Sequence, residues 1–157
     1  MNWKDYMHEF ISDGIPRTIS IDQTCLNDWQ SLIDYLIKTD ASLAYFVKGH
    51  TKKLPEHINE NYFRPDGSCM LSIYLDGVQV ICPFLEINNI TLTFDPKEID
   101  NELKAKVIFR LMSTVGRTLG KAVALYADNS RKRPAFTYQP GTGLEYHNQD
   151  YSDSVED

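Results

Sequence analysis

Asp76-Gly77, flanked on both sides by strand-forming residues, constrains this chain more than any other feature. Asp-Gly readily supplies the two positive-φ residues of a two-residue type I′ turn, whose twist matches that of the strands it joins. Pairing outward from the turn sets Leu75 against Val78, Ile73 against Val80 and Leu71 against Cys82. All three pairs are apolar and share one face, so turn geometry and burial predict the same register. Tyr74, Gln79 and Ser72 fall on the other face. A hairpin is therefore expected over Cys69–Cys82, with Leu71, Ile73, Leu75, Val78 and Val80 buried.

Other strands follow from alternation: Arg17–Ile21, Ser42–Lys48 (Leu43, Tyr45 and Val47 on one face), Ile90–Phe94, Lys121–Ala127 and Ala135–Gln139. A two-residue turn at Asn88-Asn89 would place Phe84 opposite Thr93 and lose the apolar face. An odd-length loop or a bulge near Pro83 is expected instead, pairing Phe84 with Leu92. Residues 49–67, broken by Pro55, Pro65 and Asp66-Gly67, read as a polar loop.

Three segments have helical spacing. Trp3, Tyr6, Met7 and Phe10 lie on one side of a helix from Trp3 to Ile11, stopped by Gly14-Ile15-Pro16. Leu26, Trp29, Ile33 and Leu36-Ile37 form the apolar stripe of a second helix, capped by Asp22 or Thr24. In the third, Asp95 is expected to cap, with Pro96 at the first position and Glu98 in a capping box. Ile99, Leu103, Val107, Leu111 and Val115 then recur every four residues until Gly116 or Gly120.

This order predicts a single α+β domain over residues 1–144: a mainly antiparallel sheet of about six strands, with the long helix and the second helix packed on one face. Residues 145–157 are read as an acidic C-terminal tail. With 157 residues, 42% of them hydrophobic, the chain is long enough for one real core. No apolar run approaches the ~20 residues that span a bilayer. The start, Met1-Asn2-Trp3-Lys4-Asp5-Tyr6, does not read as a signal peptide, so a cytoplasmic location is expected. Cys25, Cys69 and Cys82 show no zinc-ligand spacing. The last two fall diagonally across the hairpin, too far apart for a disulfide. Buried free thiols are expected there.

The net charge of −6 is uneven: −4 over residues 1–47, +3 over 48–144 and −5 over 145–157. Such a chain repels phosphate backbones, which disfavours nucleic acid and favours basic partners. Gly116-Arg117-Thr118-Leu119-Gly120-Lys121 superficially matches a phosphate loop. It has too few residues between its glycines, and Ala122 stands where magnesium needs a hydroxyl. His50, Glu56, His57, Glu60 and Asp66 gather in the long loop without the spacing of a metal face. No catalytic motif, metal site or cofactor is expected. Arg131-Lys132-Arg133 is read as a solvated loop.

Phe94-Asp95-Pro96-Lys97-Glu98-Ile99, the helix end Leu119-Gly120-Lys121, the strand Val123-Ala124-Leu125 and Pro134-Ala135-Phe136-Thr137-Tyr138-Gln139-Pro140 resemble stretches of the immunity proteins encoded beside bacterial polymorphic toxins. The resemblance covers under a third of the chain. It implies a non-catalytic module that neutralises a cognate toxin by occluding its active site. A type III secretion chaperone, which would present its groove on a two-fold dimer, is the alternative binding module. A small enzyme using the His50–Asp66 loop is the alternative of another class. For a basic toxin surface, the expected contacts are Glu145, Tyr146, Asp150, Tyr151 and Asp153, since acids steer and tyrosines supply contact area. Asp5 and Glu9 on the N-terminal helix form the second choice.

Overall fold

The computed structural model describes residues 1–128 and 131–148. It is an α+β fold built on one antiparallel sheet of nine strands, not about six. In chain order the strands are β1 (Arg17–Asp22), β2 (Ser42–Val47), β3 (His50–Lys52), β4 (Cys69–Leu75), β5 (Val78–Pro83), β6 (Asn89–Phe94), β7 (Val123–Tyr126), β8 (Phe136–Gln139) and β9 (Gly143–Tyr146). Across the sheet the order is β3-β2-β4-β5-β6-β1-β7-β8-β9. The two edge strands, β3 and β9, have no counterpart in the sequence reading.

The β4–β5 hairpin has the expected register: Leu71 faces Cys82, Ile73 faces Val80 and Leu75 faces Val78. Leu71, Ile73, Val78 and Val80 are buried, while Leu75, next to the turn, is half-buried. The irregularity expected near Pro83 is present. Ile81 faces Thr93, yet further along Glu86 faces Asn89, so the β5 side holds one residue more than the β6 side. The pairing differs from expectation, because Phe84 is not a register partner of Leu92. Its amide donates to Cys69 O (2.9 Å) and its carbonyl accepts from Arg64 N (2.9 Å).

Three helices, α1 (Trp3–Tyr6), α2 (Leu26–Lys38) and α3 (Glu102–Leu119), pack on the face carrying Ile19, Leu71, Ile73, Leu92 and Leu125. The first is shorter than expected, continuing as a 3₁₀ turn over Met7–Phe10. Neither Asp22 nor Thr24 caps α2. Cys25 is the N-cap residue, and its backbone amide donates to the Asp28 carboxylate (2.9 Å). Thr24 Oγ1 and Trp29 Nε1 instead donate to the same carbonyl, that of Ile87 (2.7 and 2.9 Å).

Asp95 does accept from Lys97 N (3.0 Å), but it caps a separate 3₁₀ turn, Pro96–Glu98. The long helix starts later, with Asn101 accepting from Lys104 N (2.9 Å). Leu103, expected on the buried stripe, is 75% exposed. A four-residue step overshoots one turn by about 40°, so three such steps carry Leu103 roughly 120° from Val115. The buried arc is centred on Ile108, Leu111, Met112 and Val115 instead. Gly120 ends the helix at φ 66°. Gly116 serves close packing: a Cβ there would lie 2.3 Å from Tyr138 Cδ2.

Candidate functional site

The turn after β8 uses Gly141 and Gly143 at φ 90° and 88° to fold the chain back along the sheet edge. Here β9 pairs with β8, setting Glu145 opposite Thr137 and Tyr146 opposite Phe136. The sequence boundary at residue 144 therefore falls inside a strand, and both Glu145 and Tyr146 are sheet residues. Because side chains alternate along a strand, the two point to opposite faces. Tyr146 turns to the helix side, where its ring lies 4.9 Å from that of Phe136. Glu145 turns to the outer face and is exposed. Asp150, Tyr151 and Asp153 lie outside the described residues.

The second choice of surface meets the first. Tyr146 Oη donates to Glu9 Oε2 (2.9 Å) and lies 3.2 Å from His8 Nε2. Glu9 is only 6% exposed, so it serves this internal cluster rather than an open surface. Asp5 is exposed. Arg17, 2% exposed, holds the connecting segment in place by donating to the carbonyls of Glu9 (2.7 Å), Ile11 (3.0 Å) and Ile15 (2.7 Å). Its guanidinium also contacts Asp13 (3.0 Å). That hydrogen bond, assisted by the Ile15 amide, lowers the Asp13 carboxyl below its usual value.

Among the described residues no helix packs against the outer face of the sheet. Its β2–β4–β5 end carries Phe46, Met70, Ile81 and Tyr74, the last 53% exposed. Phe46, Met70 and Ile81 are half-buried, and apolar groups gathered on one open face, rather than scattered, are the usual mark of a contact surface. The other end is polar. A groove of about 650 Å³ lies across β1, β7 and β8, lined by Ser20, Asp22, Tyr126, Thr137 and Gln139. Asn89 Nδ2 donates to Asp22 (2.6 Å) and to Ser20 Oγ (3.1 Å) beside it. A second hollow of about 490 Å³, lined by Lys132, Arg133, Glu145, His147 and Asn148, shares Pro134, Thr137 and Gln139 with the first.

Thr137 Oγ1 and His147 Nε2 are 2.8 Å apart in this hollow. A hydroxyl–imidazole pair becomes nucleophile and base where a third group orients the ring and donors face the substrate. In this position it extends the β8–β9 ladder, next to the bond from His147 N to Ala135 O (2.7 Å).

The residues of the long loop do not converge. His50 opens β3 opposite Val47, and His50, Glu56, His57 and Glu60 are all exposed. Asp66 accepts from Ser68 N (2.9 Å), and this backbone hydrogen bond lowers its carboxyl pKa. Among the described residues no group of three or more His, Cys, Asp and Glu is placed to hold a metal ion. Nor is any helix among them long and apolar enough to cross a membrane. The outer-face residues Phe46, Met70 and Ile81 were passed over in the sequence, although the alternation that buried Ile73 and Val80 already assigned them to the other face. Comparison with protein-family models, curated proteins and solved structures returned no match.

Proposed function

We propose that the chain is a non-catalytic protein-binding module of the immunity kind, which neutralises a protein toxin by laying the outer face of its sheet over the toxin's functional surface. The observation that carries this reading is the set of Phe46, Met70, Tyr74 and Ile81 on a sheet face against which no helix among the described residues packs. A solvent-facing sheet surface is ordinarily polar, and Tyr74, exposed between Ser42 and Gln79 at the border of the half-buried Phe46, Met70 and Ile81, is of a residue type enriched in binding hot spots. The net charge of −6 favours a partner with a basic surface, and Glu145 adds an exposed acid on the same face.

The test uses the protein encoded immediately upstream of this chain. Its binding is measured by calorimetry, and its toxicity by growth on co-expression. Tyr74→Asp and Met70→Asp should each weaken binding by more than about 100-fold, as loss of a hot spot does, and abolish protection. Circular dichroism and thermal unfolding identify variants that retain the fold. Unchanged affinity in a folded double variant, or no binding by the native chain, overturns the reading.

A further inference from the structure

A third hollow opens on the outer face where β5 and β6 meet the segment leading into β1. Its volume is about 260 Å³, and Gln79, Ile81, Thr93 and Glu98 line it together with Gly14 and Pro16. We propose that this hollow is a socket for an arginine side chain, the anchor by which the partner of the outer face is held. The partner itself rests on the outer-face reading above; the socket adds the chemistry of the contact.

Three observations converge on a guanidinium. The first is a fixed carboxylate. Glu98 Oε1 accepts from the Gln79 amide (3.0 Å), which holds the group at the wall of the hollow. Among the described residues no base is paired with it. Lys97 Nζ lies 3.7 Å from Asp95 Oδ2, and the Arg17 guanidinium is taken up by Asp13 and by the carbonyls of Glu9, Ile11 and Ile15. Asp95 also lines the hollow, but Lys97 already engages it, so the argument rests on Glu98 alone. The second observation is size and lining. The hollow is smaller than the ~300–1,000 Å³ of a site for a drug-sized ligand, which suits one side chain. The Gln79 side chain does not fill it, because its amide donates to Ser72 Oγ on β4 (3.0 Å). Pro16, Ile81 and Phe94 give the wall an apolar part. A guanidinium is planar and weakly hydrated, whereas a lysine ammonium is strongly hydrated and loses more against such a wall. The third is position. Ile81 belongs both to the hollow and to the apolar set, and Gln79 pairs with Tyr74 across the hairpin. An arginine seated beside Glu98 thus lies at the border of the contact surface, and arginine is enriched among the residues that dominate binding. The net charge of −6 draws a partner that carries such side chains.

The experiment is amide NMR on the full chain, titrated with N-acetylarginine amide to about 50 mM, since a single side chain binds at best in the millimolar range. The Gln79 and Thr93 resonances should shift and saturate, while those of α2 stay in place. Glu98→Gln keeps an acceptor for the Gln79 amide and removes only the charge, and it should abolish the shifts. N-acetyllysine amide should move them far less. Absence of a saturable shift in the native chain overturns the socket, as do equal shifts in the Glu98→Gln chain or with the lysine analogue. The second arm is calorimetry with the protein encoded immediately upstream. Glu98→Gln should weaken binding at least about 10-fold, whereas Asp34→Asn, at an exposed acid on α2, should change it less than about 2-fold. Equal losses from the two variants report net charge only and overturn the socket. Loss of binding in Tyr74→Asp but not in Glu98→Gln overturns the socket and leaves the outer-face reading standing. An upstream protein that does not bind at all fails that reading, and the titration then decides the socket by itself.

Discussion

Tyr146 Oη donates to the Glu9 carboxylate at 2.9 Å, tying the last strand of the sheet to the first turns of the chain. Two segments that sequence reading treats as rival surfaces are thereby one cluster, closed by His8 and by the rings of Tyr6 and Phe136. Tyr146→Phe removes one donor from a buried carboxylate and should cost roughly 1–3 kcal/mol in a urea melt. A loss below about 0.5 kcal/mol, the size of an ordinary surface change, would mean that the contact does not hold β9 down.

Ile73 has no exposed surface and sits in the middle of β4, between Leu43 on β2 and Val80 on β5. Ile73→Ala should cost about 2–5 kcal/mol through lost transfer energy and the cavity left behind. A loss under about 1 kcal/mol would put that face in solvent.

Asn101 caps the long helix and Asp95 caps only the 3₁₀ turn before it. Asn101→Ala should therefore cost roughly 0.5–2 kcal/mol. It should also speed hydrogen exchange at Lys104, whose amide loses its acceptor. Asp95→Ala should leave exchange at Lys104 unchanged. The reverse pattern would restore Asp95 as the start of the helix.

Asp13 gives the fold a dependence on acid. Its carboxyl titrates below its ordinary value of 3.8, chiefly because Arg17 donates to it. A carboxylate whose pKa is lowered on folding contributes fully above the unfolded value and loses that contribution as the pH falls through the folded one. Native protein and Asp13→Asn should thus differ in stability near pH 6 and converge below the folded value. Parallel curves down to pH 2 would show that the Asp13–Arg17 pair has no linkage to folding.

The three thiols should separate by reactivity. Cys25 is exposed, whereas Cys69 and Cys82 are buried, and burial pushes the Cys82 thiol up to about 12. At pH 8 a thiol reagent should modify one cysteine quickly and the other two only on unfolding, because the thiolate is the reacting form. Rapid modification of Cys82 would contradict its place between β4 and β6.

Legibility in the sequence followed the range of the interaction. Asp76-Gly77 and its flanks determine their register within 14 residues, and the structure has that register. The bulge near Pro83 was readable for the same reason, as a parity conflict between neighbouring apolar faces. What failed was phase and distance. Asp95-Pro96-Lys97-Glu98 is a sound helix start locally, but Ile99 leaves helical geometry at φ −103°, ψ 74°, and the helix begins again at Asn101. The strand β9 has four residues, only Leu144 and Tyr146 facing the packed side, and its partner β8 is recognisable only once the glycine turn is known. For the candidate site, the acids were visible as charge. The split of Glu145 from Tyr146, and the capture of Glu9, depended on contacts 137 residues apart.

The strand order has a consequence for how the molecule is made. Ile19 on β1 sits between Leu92 and Leu125, although it precedes both by more than half of a small domain. During synthesis it emerges well before either partner, β6 on one edge and β7 on the other. The block β2–β6 and the block β7–β9 are joined in one sheet through β1, which lies between β6 and β7. Both ladders of β1 thus join residues far apart in sequence, pairings of the kind that slow folding. A chain that began after Asp22 would have two half-sheets and no seam.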